Sequence, residues 1–554
     1  MKRRMEKVFL LLGVAGGVLT PTIQAQEAPP ATAPAAAAST AAPSEADAKT
    51  QAIQAYNAGL DAVRKSDWVT AATNFEKAVA LDAKDTSSFM FLGYVRLKQE
   101  NFDAALAALQ NAEKMISPAD TAGKATLYNN LGLVYWNKNQ PSEAIGAYKK
   151  ALDFDKKASD AQYNLAFALL AQKRYADAVP HLESLVKAST DPAMQAALYD
   201  ALGEAYENQK NWAGALGAYT KAIEALPKEP AYHLHKGLAL INSNRKNDAV
   251  PFLSEVIKLD PQSTDPQSAE AFLQLGAIFI ERRNWPEAQD KLTRYVALRK
   301  DDSLGWFNLG VAYDYAGNFD KALEAYAKAQ KQDEKNAAIR NNVGRIYFKR
   351  GKFDEAITEL KEALKLDLQS PDARHNLAIV YSEQARALAE AKKDAEAREK
   401  YKTAESEWRA LLTATEPQWR GETDPGRKAQ LASLLAGARA GLAENFLNQK
   451  DYRNAVFEYT QMLVAAPDNL TARINLGLAL YYDKKYPEAE KVYRDIIARD
   501  RNNATAHNNL GAVLEAQDNR AGALEAYRKA TELDKNYAEA KNNLDRLMQN
   551  TKVG

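Results

Sequence analysis

Glycine or alanine recurs along this chain at a nearly fixed interval. Thirteen positions define twelve intervals, of which eight equal 34 residues, three are longer by three or five residues, and one is 65. A period of this length predicts a stack of similar units in which each unit contacts only its neighbours. We call them the repeat Gly/Ala positions: Gly59, Gly93, Gly132, Ala166, Gly203, Gly237, Gly276, Gly310, Gly344, Ala378, Ala443, Gly477 and Gly511.

Length and composition agree with a stacked array. The chain has 554 residues, whereas a single hydrophobic core stops growing at about 250–300 residues. Charge is balanced, with 73 Lys and Arg against 72 Asp and Glu, so no basic excess indicates nucleic-acid binding. Cysteine is absent, which excludes disulfides and thiolate metal sites.

The start of the chain predicts a cleaved signal peptide over residues 1–25. Four basic residues precede an apolar stretch over Val8–Leu19, and the segment ends at the small residue Ala25. This stretch would form about 18 Å of helix, too short for a bilayer core of about 30 Å, so we expect no transmembrane span. The Ala/Pro-rich residues 26–50 predict a disordered linker. We therefore expect a periplasmic or secreted protein without a lipid anchor. The alternative is a cytosolic protein whose start only mimics a signal.

Each repeat has the pattern of two helices joined by a short turn. Around Gly310, apolar residues recur at three- and four-residue spacing on both sides of a turn at 316–320. Asp320 is expected to cap the second helix. Glycine costs about 1 kcal/mol relative to alanine inside a helix. The recurrence of glycine therefore predicts close contact between the two helices, with Ala322 as the facing small residue.

A small residue also recurs in every second helix. It lies twelve residues after the repeat Gly/Ala in twelve repeats, and a longer first helix displaces it in the tenth. A large side chain such as Tyr326 follows four residues later. The small residues are Ala71, Ala105, Ala144, Ala178, Ala215, Ala249, Ala288, Ala322, Ala356, Ala397, Ala455, Ala489 and Ala523.

This order of residues resembles the tetratricopeptide repeat (TPR) family. The stretches LYNNLGLVYWNKNQPSEAIGAYKKAL, from Leu127, and WFNLGVAYDYAGNFDKALEAYAKA, from Trp306, match its signature closely. The resemblance covers about residues 52–537. It implies an all-α fold, a right-handed α-α superhelical solenoid of about thirteen helix pairs with a C-terminal capping helix at 538–550.

The longest interval divides the array. Repeats 1–9 are expected over 52–370, repeat 10 with elongated helices and a loop over 371–435, and repeats 11–13 over 436–537. The extra residues of repeat 10 predict a solvated protruding helix pair, interrupted at 417–427. A lateral docking arm and an articulation between repeats are the functional alternatives.

Three shorter insertions also interrupt the period. They fall at 115–124, 188–195 and 261–268, and each contains proline with aspartate or serine. Loops tolerate such insertions at little cost, so we expect them between repeats.

No catalytic motif is present in the sequence. HExxH, P-loop, GxSxG and dinucleotide-binding patterns are all missing. Of the five histidines, His233 and His235 stand two residues apart and would point to nearly opposite faces of a helix, so they cannot share a metal. We therefore expect a non-enzymatic protein with no metal and no cofactor.

Asparagine recurs two residues before the repeat Gly/Ala. It costs up to about 0.7 kcal/mol relative to alanine in a helix, so its recurrence calls for an explanation. The position shares a helix stripe with the residue three further on, such as Leu133 or Val311. We call these residues the asparagine ladder: Asn130, Asn164, Asn308, Asn342, Asn376, Asn475, Asn509, and Asn543 in the last helix.

The ladder is similar to that of the TPR superhelix of O-linked N-acetylglucosamine transferase. That resemblance implies a concave wall on which asparagine holds the main chain of an extended peptide. A carboxamide carries both a donor and an acceptor, so it can pair with any peptide unit. Nearby aromatic residues could supply apolar pockets: Trp136, Tyr315, Phe348, Tyr481 and Tyr482. The alternative is that these asparagines bond only to neighbouring helices.

Two departures from related proteins narrow the function. About 17 residues follow the last repeat, so no glycosyl transfer is expected. The carboxylate clamp of chaperone-binding TPRs is approached only by Asn341 and Arg345, which disfavours a chaperone adaptor. We expect an exported scaffold that binds extended segments or partner proteins and assembles a cell-envelope complex for secretion, motility or polysaccharide export. The alternatives are a non-catalytic subunit or regulator of an envelope enzyme, and a cytosolic adaptor.

Overall fold

The structure is a computed structural model that describes residues 45–263 and 266–552. The signal peptide and most of the linker expected in the first 44 residues lie outside the described residues. Within the described ranges the chain forms 27 α-helices and no strand.

The helices follow one another along the chain with short connections. The first thirteen are α1 Glu45–Arg64, α2 Trp68–Leu81, α3 Thr86–Lys98, α4 Phe102–Met115, α5 Thr121–Asn137, α6 Pro141–Phe154, α7 Ser159–Ala171, α8 Tyr175–Ala188, α9 Pro192–Asn208, α10 Trp212–Ala225, α11 Pro230–Asn242, α12 Lys246–Leu259 and α13 Pro266–Glu281. The others are α14 Trp285–Leu298, α15 Ser303–Tyr315, α16 Phe319–Gln332, α17 Ala337–Lys349, α18 Phe353–Leu366, α19 Pro371–Glu390, α20 Asp394–Gly421, α21 Pro425–Asn448, α22 Tyr452–Ala465, α23 Leu470–Tyr482, α24 Tyr486–Arg499, α25 Ala504–Ala516, α26 Arg520–Leu533 and α27 Ala538–Lys552.

Odd-numbered helices are the first helices of repeats and even-numbered helices the second, which makes thirteen pairs followed by α27. The chain divides into two compact halves at Gly276, which lies inside α13. α27 completes the C-terminal half as a lone first helix. Ala540 and Leu547 are buried in it, whereas Lys541, Asp545 and Arg546 are exposed, so this helix covers the end of the stack and presents a polar face.

In each helix pair, the turn between the two helices contains one residue in the left-handed backbone region. This residue stands two positions before the second helix in all thirteen pairs, and only two of them use glycine, Gly317 at φ +80° and Gly351 at φ +71°. The other eleven lie between φ +56° and +62°: Ser66, Glu100, Asn139, Lys173, Lys210, Asn244, Arg283, Lys392, Lys450, Lys484 and Asp518. A left-handed conformation costs a non-glycine residue about 1–2 kcal/mol, so tight pairing of the helices overrides local preference here.

The repeat glycines mark close contact, as expected, but at Gly310 the nearest partner differs from the expected one. A β-carbon on Gly310 would lie 2.6 Å from the ring of Tyr326, which is the large residue of the second helix rather than the facing Ala322. Tyr326 is fully buried. A methyl group at Gly310 would thus have to displace a packed aromatic ring, which explains the glycine.

The cap expected at Asp320 is wrong. α16 begins at Phe319, so Asn318 is the N-cap residue and Asp320 lies inside the first turn. The Asp320 carboxylate accepts a hydrogen bond from the Arg350 guanidinium at 2.7 Å instead. This ion pair links second helix α16 to the following first helix α17.

The three short insertions extend helices more than loops, contrary to expectation. First helices α5, α9 and α13 have 17, 17 and 16 residues, against 13 in α15, α17 and α23. The insertion adds about one turn at the start of each first helix. An added turn keeps its backbone hydrogen bonds within the helix and therefore leaves no polar group unpaired.

Repeat 10 is lengthened through three helices rather than two. α19, α20 and α21 have 20, 28 and 24 residues. α20 continues through Pro417 to Gly421 and α21 already begins at Pro425, so the interruption expected at 417–427 is shorter, and the boundary expected at 435/436 lies inside α21. The structure also differs from the linker expected over 26–50, because α1 begins at Glu45.

The small residue expected in repeat 10 is confirmed at Ala397, which lies five residues after the left-handed residue Lys392, as in every other repeat, and is buried four residues before Tyr401. Ala404 precedes the buried Trp408 by four residues and shares a core cluster with it. Ala397 packs in a separate cluster with Ala385 and Tyr401. The extra turns of α19 and α20 thus add a second buried pair of a small and a large residue, Ala404 and Trp408, beyond the regular pair next to the turn.

Buried polar bonds fix the lengthened helices to one another. The Asn445 side chain is buried and its amide donates to the Tyr401 carbonyl at 3.0 Å. Arg439 donates to Glu416 at 2.9 Å and to the buried Glu458 at 2.7 Å, which joins α20, α21 and α22. Breaking such bonds would leave buried groups unpaired, which argues against an articulation at this place.

Candidate functional site

The asparagine ladder lies on eight first helices, α5, α7, α15, α17, α19, α23, α25 and α27. None of its side chains is exposed; Asn130 is buried and the other seven are half-buried. On each first helix, the helical period places the ladder side chain on the side that faces the preceding repeat. The eight positions differ, however, in what they bond.

Three ladder residues form amide pairs with the preceding first helix. Asn164 donates to Asn129 at 2.9 Å, Asn376 to Asn341 at 2.9 Å, and Asn543 to Asn508 at 3.1 Å. The acceptor always stands three residues before the repeat Gly/Ala of the preceding repeat, or 35 residues upstream of the ladder residue. These amides join first helix to first helix and belong to the scaffold.

His235 occupies the ladder position of the sixth repeat, two residues before Gly237. Its Nδ1 lies 2.6 Å from the carboxylate of Asp200, which is nearly buried on the preceding first helix and again 35 residues upstream. The ladder position and the position three residues before the preceding repeat Gly/Ala therefore form a polar bridge between repeats wherever both carry a polar side chain.

The remaining five ladder residues face an apolar residue on the preceding first helix, three residues before its repeat Gly/Ala. The apolar residues are, in chain order, Met90, Leu273, Phe307, Ala440 and Ile474; they correspond in turn to Asn130, Asn308, Asn342, Asn475 and Asn509. No amide pair with the preceding first helix is available to them. Their side chains must find other partners or offer their donors and acceptors to another molecule.

Tyrosines of the preceding second helix supply partners for some of these five. Asn509 donates to the Tyr493 hydroxyl at 3.3 Å. Burial raises the pKa of Tyr459 to about 12, and hydrogen bonding with Asn475 acts against this rise. Asn342 lies beside the hydroxyl of Tyr326, whose pKa is also raised by burial.

Asn130 and Asn308 stand apart from the other ladder residues. The preceding second helix carries Leu109 and Leu292 where the others carry tyrosine. Among the described residues neither asparagine has a side-chain hydrogen-bond partner. Sequence reasoning treated all eight as equal, but an apolar residue on the preceding first helix together with leucine in place of tyrosine on the preceding second helix separates these two from the rest.

The aromatic residues expected beside the ladder fall into two groups. Trp136 and Phe348 are partly buried and pack on core residues. Tyr315 and Tyr482 are about half exposed, at 53% and 49%. Each stacks on an aromatic residue of the preceding second helix, with ring centroids 5.3 Å apart in both cases, namely Trp285 for Tyr315 and Tyr452 for Tyr482. Tyr481 is partly buried and packs edge-on against Tyr482.

The residues that approach a carboxylate clamp are engaged inside the protein. Arg345 forms an ion pair with the buried Asp314, and Lys349 lies 3.1 Å from the same carboxylate. Asn341 accepts the amide of Asn376. Neither side chain points to a free carboxylate ligand.

The described residues offer no other chemical centre. In these ranges no group of three or more His, Asp or Glu side chains is arranged to hold a metal ion. His233 bonds the Pro227 carbonyl through Nε2 at 2.8 Å, whereas His235 bonds Asp200. No helix in the described part of the chain is both long enough and apolar enough to cross a membrane.

Paired helices in register define a helical-repeat protein, and the sequence comparisons identify its family. Models described as tetratricopeptide repeat match residues 85–157, 129–193, 201–264, 303–336, 440–504 and 477–538, and one described as TPR repeat matches 344–384. Together these segments cover more than half of the chain. The chain belongs to the tetratricopeptide repeat family.

Individual relatives match only over a few repeats. The Protein STIP1 homolog of Dictyostelium discoideum is 31% identical over 118 residues, which are 21% of each chain. The Protein O-mannosyl-transferase TMTC3 of Homo sapiens is 26% identical over 158 residues, 27% of this chain and 17% of that protein. The chain thus spans about a fifth of the length of these relatives. The solved structure of the APC/C hetero-tetramer Cut9-Hcn1 is 15% identical with a TM-score of 0.32, covering 90% of this chain and 96% of that one.

Proposed function

We propose that this chain is an exported, non-enzymatic TPR scaffold that binds extended peptide segments or partner proteins along its first helices. Its role would be to assemble a complex of the cell envelope that serves secretion, motility or polysaccharide export. The proposal of export rests on the basic and apolar start of the chain and on Ala25.

The observation that carries the binding proposal is the unpaired carboxamide of Asn130 and Asn308. A carboxamide in a largely apolar setting loses free energy unless it finds a donor and an acceptor, and a peptide unit supplies both. Leu133 and Val311 stand three residues further along the same helix stripe and are only partly buried. An extended guest would thus bond through its main chain and place apolar side chains beside these residues.

Paired variants separate guest binding from structural support. We expect the double variant Asn130→Ala, Asn308→Ala to keep the thermal stability of the parent and to lose at least about tenfold in affinity for guest peptides. The matched control is Asn164→Ala, Asn376→Ala, which breaks two internal amide pairs. We expect it to lower stability by about 1–3 kcal/mol, because each acceptor is left unpaired, and to keep binding. A phage-displayed library of random unstructured peptides provides the probe, with enrichment on the full chain as the readout.

Enrichment that is equal on the parent and on Asn130→Ala, Asn308→Ala would show that these residues do not bind the guest. If the control variant lost binding together with stability while the first variant kept both, the ladder would be purely structural.

Export is tested at the N-terminus of the protein purified from its native cells. A mature chain that starts at Gln26 supports the proposal, whereas a chain that keeps Met1 supports the cytosolic adaptor.

A non-catalytic subunit or regulator of an envelope enzyme remains the second candidate. One relative, human TMTC3, is named a transferase, and the 158 matched residues form 17% of it. A segment similar to this chain therefore occurs in a protein that is named a transferase. Purification from envelope extracts that recovers a stoichiometric enzyme would favour this candidate over a free-standing scaffold.

A further inference from the structure

Asn57 stands at the ladder position of the first repeat, two residues before Gly59, and is not one of the eight ladder residues named above. It lies on α1, which no repeat precedes among the described residues. Its side-chain oxygen Oδ1 is buried, yet no described residue donates a hydrogen bond to it. A buried acceptor without a donor loses free energy relative to its hydrated state. Asn57 therefore calls for a donor on the side of α1 where a preceding repeat would lie.

The same side of α1 is covered more closely than its place in the stack explains. Four residues at three- and four-residue spacing form an uncharged stripe there, none of them exposed: Thr50, Ile53, Asn57 and Leu60. Leu60 is 3% exposed, whereas the residue that follows the repeat Gly/Ala in each of the other twelve repeats is half-buried or exposed. The first repeat has one neighbour fewer than the others, so Leu60 should be more exposed than its counterparts, not less. An additional segment on this side would account both for the burial of Leu60 and for the missing donor.

The chain immediately before α1 has the length and the composition of such a cover. Residues 26–44 lead directly to Glu45, where α1 begins, and reach up to about 60 Å at about 3.3 Å per residue. Asn57 lies only about 18 Å from Glu45 along the helix. The segment contains one charged residue, Glu27, and consists mainly of alanine, serine, threonine and proline. Small uncharged side chains let a main chain approach an uncharged stripe closely and present its N–H groups to an acceptor.

We propose that residues 26–44 fold back along α1 of the same chain and donate a main-chain N–H to Asn57 Oδ1. They would close the N-terminal end of the array, as α27 closes the C-terminal end, because the outer face of a terminal repeat needs a cover. A segment joined directly to the helix that it covers has an effective concentration there of the order of millimolar. A second copy of the chain would have to reach that concentration to compete, so the contact is intramolecular.

A photoreactive residue on the stripe tests where the segment lies. Ile53→p-benzoylphenylalanine in the full chain should give, after irradiation, adducts with residues 26–44. The matched control is Thr126→p-benzoylphenylalanine, at the corresponding position of the third repeat, which should give no adduct with that segment. A mixture of isotope-labelled and unlabelled chains shows whether an adduct joins one chain or two. Adducts that join two chains overturn the proposal, and so does the absence of adducts with residues 26–44.

Hydrogen exchange tests the proposed bond to Asn57. Deletion of residues 28–43 should accelerate exchange of the α1 amides from Thr50 to Leu60 at least about tenfold and leave the amides of α7 unchanged. Asn57→Leu keeps the size of the side chain but removes the acceptor, so in the full chain it should accelerate exchange of the same α1 amides about fivefold. In the deleted chain Asn57→Leu should cause no further acceleration, because no donor is left to lose. Unchanged exchange in the deleted chain overturns the proposal, and so does an equal effect of Asn57→Leu with and without the segment.

Discussion

At the scale of single residues, the strain of this fold is concentrated in the turns within the helix pairs. Eleven of thirteen turns place a side-chain-bearing residue at φ above +50°, and five of these residues are the lysines at 173, 210, 392, 450 and 484. The cost is tolerated because each turn closes a pair of helices that bury a large residue against a repeat glycine. Substitutions at these turn residues therefore test whether the backbone adopts the left-handed conformation.

Lys484→Gly should stabilise the protein by about 0.5–1 kcal/mol. Glycine relieves the left-handed strain of about 1–2 kcal/mol, from which its extra conformational entropy in the unfolded chain subtracts about 0.5–1 kcal/mol. Urea denaturation followed by circular dichroism measures the change. The control Lys491→Gly lies in the exposed middle of α24 and should destabilise by about 1 kcal/mol. Equal effects of the two variants would contradict the turn geometry.

At the scale of helices, the junction between neighbouring first helices is the recurring unit of polar contact. Asn–Asn pairs, the His235–Asp200 pair and acid–base pairs all bridge helices one repeat apart. The last of these bridges is the ion pair between Glu515 of α25 and Arg546 of α27. It helps to hold the terminal helix, which has no second helix of its own.

Docking of α27 should weaken in acid. The hydrogen bond from Arg546 holds the pKa of Glu515 below its usual value. A lowered pKa in the folded state contributes stability that is complete above the usual glutamate pKa of about 4.3 and is lost as pH falls below it. Hydrogen exchange of the α27 amides should therefore accelerate, relative to that of α25, between pH 5 and pH 3, after correction for the intrinsic rate. In Glu515→Gln this additional acid dependence should disappear, and its persistence would assign the effect to other groups.

At the scale of the whole molecule, stability is a sum of local contacts between successive repeats. Trp408 illustrates this, because it is buried at the contact of the longest second helix with its neighbours. Trp408→Ala removes the largest buried side chain of the C-terminal half.

Trp408→Ala should cost about 3–5 kcal/mol. Hydrogen exchange should accelerate in α18–α22, while α1–α11 should exchange as in the parent, since distant repeats share no contact with the cavity. Tyr482→Ala, at a half-exposed aromatic residue, serves as control and should change exchange little. Faster exchange along the entire chain would show that the array unfolds as one cooperative unit.

The sequence by itself determined the architecture, because a 34-residue period with small residues at fixed places leaves only stacked helix pairs as a packing solution. It also located the ladder, since helical periodicity places those asparagines on one stripe. It did not foresee the left-handed turn residues, which local preference disfavours, or the second buried pair of Ala404 and Trp408, which depends on how two long helices align.

Only the tertiary structure decided which ladder residues are engaged. Asn376 bonds Asn341, whereas Asn308 has no side-chain hydrogen-bond partner in the part of the chain that the structure describes, yet the two stand in the same repeat position. The difference lies in the residue 35 positions upstream, which is asparagine for Asn376 and leucine for Asn308. A local sequence pattern cannot predict this contact, because the contact forms only when neighbouring repeats stack.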